Sequence, residues 1–430
     1  MTTSDTERHR LLSRRAFIAI FVCAVVLLGG WIVRARNRWP EEMTRELAQL
    51  RAAGEPLTLA ECDRRYNELG ATPTAFQHFQ RAFGAMSKGE LPLMDSKSFA
   101  AQKTRHPLPH LEAMASIGQR TVVMSCLRTN TESLRLLHEG MAYERCFFPI
   151  KLSDGLQALL PHLPEIRRAA HLLALESVEY AYDGDSKKAV ESILACLHMA
   201  EILGQEPTLI GMIIRDRIMG DSCEAIRVCI NVAPMPSEDL IRISQKLSRI
   251  MAMAEKADRS ALITERCQWL AIFQGTDQQI ADFMAEGHGG VLMLAGVEML
   301  RVKGVLQRDA GFFLDRINGI EAASTRLSNR DIVEELDVVA SEVETNRIVG
   351  TGNETRVNIL SCEILPSIIR AMRIHLWTQA LSDAVIASLS VEQYRQATGH
   401  LPDDLQVLVP EYLPEIPKGP FLNKPLRLKK

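Results

Sequence analysis

Residues 165–204 read EIRRAAHLLALESVEYAYDGDSKKAVESILACLHMAEILG, and the pattern in this stretch decides the fold. From Glu165 to Asp183, apolar or small side chains fall at Ile166, Ala169, Ala170, Leu173, Ser177, Tyr180 and Ala181. The i, i+3, i+4, i+7 spacing lines them along one helix face. Gly184-Asp185 turns the chain. From Ser186 to Leu203 the spacing returns at Ala189, Val190, Ile193, Leu197, Ala200 and Leu203, and Gly204 stands where a helix C-cap is expected. Pro207 then opens a third helix with Ile210, Ile213 and Ile214 on its face.

The same periodicity extends outward and predicts an all-α chain. Glu41 to Ala53 reads as a polar helix, Thr58 caps a helix over Leu59 to Leu69, and Thr74 to Ser87 forms another with Phe76, Phe79 and Phe83 on one face. Prolines 92, 107 and 109 break the stretch from Lys88 to His110 into a connection. One long helix is expected from about Leu111 to Tyr143. After Pro149 and Pro161-His162-Leu163-Pro164 comes the hairpin. Beyond it, Ser237 starts a long helix to about Gln274, and Val291 to Leu300 reads as a buried helix too short to cross a bilayer. Asp331 to Asn346 is amphipathic, and its carboxylates form a solvated face. Gly350-Thr351-Gly352-Asn353 is a turn, and a final helix runs from Glu354 towards Thr398 with a bend at Pro366.

The amino terminus locates the body. Ala16 to Val33 is an unbroken apolar run, with Arg14 and Arg15 before it and Arg34, Arg36 and Arg38 after it. As a helix it spans the roughly 30 Å hydrocarbon core of a bilayer. Trp31 and Trp39 suit the interface. A permanent single-pass anchor is the leading reading. A twin-arginine signal beginning at Ser13-Arg14-Arg15 and an ordinary cleaved signal are the alternatives. Arginines on both flanks leave orientation nearly undetermined by charge. A short leading tail usually stays in the cytoplasm, which places the large domain outside the cytoplasmic membrane. The expected organisation is a tail over 1–15, an anchor over 16–33, membrane-proximal helices and a linker over 41–110, an α-helical domain over 111–398 and an extended tail over 399–430.

Composition sets further bounds. Of 430 residues, 24% are charged and 47% apolar, a globular mixture. A formal charge of −3 argues against general nucleic-acid binding. Aromatics at 5% favour helices over strands. Nine cysteines form no C-x-x-C, and buried reduced thiols are the expectation. A Cys126–Cys146 bridge is the alternative for an exported domain.

Two resemblances follow from the residues. The Gly-Asp hairpin, with Tyr180, Ala189 and Cys196 near the aromatic and small positions, resembles a tetratricopeptide-type hairpin. Glu176-Ser177 stands where that repeat carries Leu-Gly, and no second copy occurs at its period. The carboxyl-terminal run is Tyr394, Gly399-His400-Leu401-Pro402, Leu405, Leu408, Val409-Pro410, Tyr412-Leu413-Pro414, Pro417 and Pro420. It resembles the region after the long helix of type II secretion major pseudopilins. With the hairpin and Glu206-Pro207-Thr208-Leu209-Ile210, it also resembles an uncharacterised family of membrane-anchored bacterial helical proteins. The pseudopilin processing site is missing, and Gly419 occupies the place of the loop aspartate. The resemblance therefore implies a pseudopilin-like tail on another protein.

No catalytic, cofactor-binding or metal-ligating set emerges from the sequence. His138-Glu139 lacks a second histidine, and His106 and His110 are separated by prolines. His162 and His171 read as surface or capped residues. Lys418, Lys424, Arg427, Lys429 and Lys430 make a basic, solvated end. The expected function is a non-enzymatic, single-pass envelope protein whose helical domain binds another protein. An accessory part of a secretion or pilus-like system and an exported enzyme with a dispersed site are the alternatives.

Overall fold

A computed structural model describes residues 39–70, 73–89, 117–284, 291–324, 329–346, 358–421 and 423–428, together with residues 30 and 91. The proposed anchor over 16–33, with Cys23 and the 1–15 tail, lies outside the described residues but for Gly30. So do residues 92–116, the turn at 350–353, and Lys429 and Lys430. Among the described residues no helix is long and apolar enough to cross a membrane.

The described chain is all-α. In order, the helices are α1 (Glu41–Ala52), α2 (Leu59–Glu68), α3 (Pro73–Gly84), α4 (Ile117–Thr129), α5 (Thr131–Glu139), α6 (His162–Tyr182), α7 (Ser186–Ile202), α8 (Leu209–Val232), α9 (Ser237–Phe273), α10 (Asp277–Met284), α11 (Val291–Val302), α12 (Val305–Ser324), α13 (Asn329–Asn346) and α14 (Leu360–Thr398). Short 3-10 turns join several of them. The β-structure among the described residues is one isolated bridge, Lys418 to Pro425. Two compact units are built from interleaved segments: residues 1–57, 269–318 and 339–366 in the first, and 58–268, 319–338 and 367–430 in the second.

The second unit is organised around α6, α7 and α8. Helix α6 is buried on more than one face, with Ile166, Ala169, Ala170, Leu172 and Leu173 all inaccessible. Small residues such as Ala169, Ala170, Ala189, Ala195 and Ala200 let the three helices approach closely. Each fully buried Leu or Ile contributes about 1.5–3 kcal/mol. The α6–α7 turn is made as the sequence predicts. Gly184 takes φ +78°, and the Asp185 carboxylate accepts from the Lys188 amide at 3.1 Å to cap α7. Thr58 and Glu61 form a reciprocal capping box at α2.

Several boundaries differ from the periodicity. The long helix expected over 111–143 is two helices, α4 and α5, broken at Asn130. That side chain is fully buried. Its Nδ2 donates to the Cys126 carbonyl at 2.8 Å, and its Oδ1 accepts from the Ser87 amide at 2.8 Å. A local side chain that competes for backbone groups ends the helix. Helix α8 starts at Leu209 with Thr208 as its cap, accepting from the Gly211 amide at 2.9 Å. Its buried face is Leu209, Met212, Arg215 and Asp216, and Ile210 is exposed. Gly204 takes no left-handed conformation; α7 ends on Leu203 instead. Helix α14 runs through Pro366.

In the first unit, the expected buried helix at 291–300 is only partly buried over its described side chains, residues 294–300. Of the side chains described there, Val297 is buried and Met299 is exposed. Arg301 anchors this segment by donating to Asp277 at 2.6 Å. Phe273 packs against Phe313, and Trp269 meets Phe283 edge-on. The buried Asp309 carboxylate accepts from the Leu360 and Ser361 amides at 2.7 and 3.2 Å, so it caps α14 from another helix.

The carboxyl-terminal strip folds back onto its own helix. Leu405, Leu408 and Leu413 form a buried cluster with Ile386, Val391 and Tyr394 of α14. Tyr394 meets Tyr412 edge-on, and Ser390 Oγ donates to the Tyr412 carbonyl at 2.8 Å.

Candidate functional site

Among the described residues, one place where side chains of different chemistry meet solvent is a groove of about 500 Å³ between α4–α5 and α6–α7, within the second unit. Helix α5 reads TESLRLLHE. Ser133, Leu134, Leu136 and Leu137 bury its inner face, which carries His138 to the groove edge. Arg135 is held outward by Glu132 and Glu139 of the same helix. Helix α6 supplies Glu176, Glu179 and Tyr180, and α7 supplies Lys188, Glu191 and Ser192.

Glu176 is the centre. Its Oε2 lies 2.7 Å from His138 Nε2 and accepts from Ser192 Oγ at 2.7 Å. Burial disfavours the charged imidazolium of His138. The hydrogen bond and charge of Glu176, with Glu191, outweigh it and raise the His138 pKa. Tyr180 is raised by burial and then by the Glu176 charge, and Lys188 Nζ stands 5.2 Å from its ring centroid. Arg120 donates to Glu179 at 2.9 Å.

This geometry suits recognition. Ser192 donates to Glu176 and not to an imidazole, so it is not arranged as a base-activated nucleophile. Glu176 fixes one edge of His138, and Tyr180, Lys188 and Arg128 line the groove together with Met124 and Leu127. Ligand-binding pockets use such a mixture of apolar lining and a few placed polar groups.

The other histidines of the sequence analysis are placed differently. Of the surface or capped positions expected for it, His162 takes a buried one beside Glu206. Its Nε2 lies 2.6 Å from Glu206 Oε2, and its ring stacks on Phe148 at 4.5 Å. A pocket of about 550 Å³ between α3 and α6 borders this pair, with Phe76, Phe83 and Arg168 among its walls. His171 lies 3.9 Å from Asp221. His106 and His110 are outside the described residues. Among the described residues, no three or more His, Cys, Asp or Glu side chains are grouped to hold a metal ion. Cys126 and Cys146 are not bridged, and all described cysteines except Cys126 are buried.

A second polar assembly is sealed. Arg215 and Asp216 of α8, Asp258 of α9 and His375 of α14 are at most 5% exposed. Arg215 donates to Asp258. His375 Nδ1 lies 3.1 Å from Asp216 Oδ1, and its Nε2 lies 3.1 Å from Asp258 Oδ2. Burial opposes the charge on His375, but the two aspartates prevail and raise its pKa.

Glu176, which supplies the groove's acceptor, is where the tetratricopeptide pattern fails in the sequence. A carboxylate at an otherwise apolar position was the available signal. Ser192 carried none. No protein-family model, curated protein or solved structure matches the chain.

Proposed function

We propose that the chain is a non-enzymatic, single-pass envelope protein, anchored by residues 16–33, whose helical body binds a segment of another protein in the groove over Glu176. The groove carries this reading. It is open and lined by Met124, Leu127 and Leu134 as well as by polar side chains, and Glu176, His138 and Ser192 are joined by hydrogen bonds before any partner arrives. Preorganised groups lower the ordering cost of binding. Layers of helix hairpins offer such grooves to peptides and helices. The arginine-flanked apolar run at 16–33 supports the membrane location, and the short tail before it supports a body outside the cytoplasmic membrane.

The test is site-specific photo-crosslinking of the full chain in native membranes. A probe at Lys188 is compared with one at Arg242, outside the groove. A discrete adduct from Lys188 and none from Arg242 is expected. Equal yields, or none at Lys188, contradict the proposal.

A second reading, an accessory component of a secretion or pilus-like system, is favoured by the tail, whose Leu405–Leu408 turn docks on α14. Impaired secretion on replacing residues 414–430 would support it.

A further inference from the structure

Of the eight described cysteines, two meet each other. Cys62 on α2 and Cys267 on α9 are hydrogen-bonded thiol to thiol, and the Thr264 hydroxyl also bonds Cys62. They share one buried apolar cluster with Leu59, Tyr66, Ile150 and Ile263. The other thiols that make hydrogen bonds use different groups: Cys196 donates to the Ala170 carbonyl, Cys229 to the Ser177 carbonyl and Cys362 to the Val343 carbonyl. Two sulfurs in mutual contact, on helices separated by about 200 residues of chain, meet the first requirement for a covalent bond.

We propose that Cys62 and Cys267 are a dithiol–disulfide pair, closed by exchange with a thiol-derived disulfide of the surroundings. The two thiols are not equivalent. The hydrogen bond from Cys267 holds the Cys62 thiol below its ordinary pKa; burial opposes this, and Thr264, Arg266 and Arg65 add to the lowering. The hydrogen bond to Cys62 and burial push Cys267 up. Cys62 keeps 4% of its surface exposed and Cys267 none, so Cys62 is the thiol that an external disulfide reaches first, and it attacks as the thiolate. It forms a bond to one sulfur of the external disulfide, whose S–S bond breaks and releases one thiolate. That thiolate takes up the proton Cys62 had lost. Cys267 then attacks the Cys62 sulfur. The mixed disulfide breaks, and the second leaving thiolate takes the Cys267 proton. Two protein thiols are oxidised and one external disulfide is reduced to two thiols. The bond ties α2 to α9 and constrains the unfolded chain through a long loop.

The test uses the purified full chain in glutathione buffers of increasing oxidised fraction, quenched with acid, denatured, alkylated and mapped by mass spectrometry. A Cys62–Cys267 cross-linked peptide with loss of two alkylated thiols is expected. Cys267→Ser should accumulate a glutathione adduct on Cys62, and Cys62→Ser should carry none on Cys267. Full alkylation of both cysteines in the most oxidising buffer overturns the proposal, and the wild-type map decides this even if a variant fails to fold. The result is independent of the partner-binding groove and of where the chain resides.

Discussion

The groove at Glu176 and the sealed assembly at His375 use the same residue types for different ends. Both pair a histidine with a carboxylate, and both raise the histidine pKa. They differ in access to water. The His138 side chain is 32% exposed, whereas that of His375 is 7% exposed and hemmed in by α8, α9 and α14. In the sealed assembly the charges answer one another, so they fix which helix faces meet. In the groove the pair is fixed on one side and open on the other. Polar chemistry in a helical layer thus becomes a site only where the packing leaves a face uncovered.

The comparison breaks most visibly at Asp258. Asp258→Ala leaves Arg215 charged and buried, and the expected loss is about 3–5 kcal/mol, read by denaturant unfolding. Replacing both partners, Arg215→Met with Asp258→Leu, should cost much less than the single change, because no uncompensated charge remains. A double variant as unstable as the single one would show that the assembly does more than balance charge.

Acidity separates the regions next. Folding raises the His375 pKa above its ordinary 6.5, so its contribution is whole below pH 6.5 and is lost as pH rises through the raised value. Glu201 has the opposite sign. Burial resists its charge, but the bonds from His198 and Lys246 hold its pKa at about 2, against an ordinary 4.5. Its contribution is present above pH 4.5 and disappears as pH falls towards 2. Unfolding midpoints across pH should decline on both sides, and His375→Gln should lessen the alkaline decline, to which His138 still contributes, while leaving the acid side unchanged.

Asn130→Ala tests the break between α4 and α5. It leaves the Ser87 amide without its acceptor, and the expected cost is about 1–3 kcal/mol. The smallest effect on stability belongs to the groove itself. Glu176→Gln keeps shape and an acceptor, so it should change stability by about 0.5 kcal/mol or less while abolishing the Lys188 crosslink.

Much of the fold was legible in the sequence because helices repeat at 3.6 residues. The α6–α7 hairpin, its Gly184-Asp185 turn, the Thr58 cap and the long α9 follow from local pattern. What periodicity missed depends on distant partners. The Asn130 side chain that ends α4 is held in part by Ser87, 43 residues away. Asp309 caps α14 from 51 residues away. Val291 to Leu300 was read as buried from hydrophobicity, but hydrophobicity does not say whether a neighbour covers the face. The site was half legible. His138 and Glu176 were each noticed as departures from a motif, yet nothing in their spacing joins residues 38 apart across two helices.

The central claim is that the groove is occupied by another protein where the chain resides. Hydrogen exchange of the full chain in its native membranes, compared with the same chain extracted and stripped of partners, tests it directly. Added protection confined to α5 and α7 in the membrane sample is the expected result. Identical exchange along those two helices in both samples would contradict it.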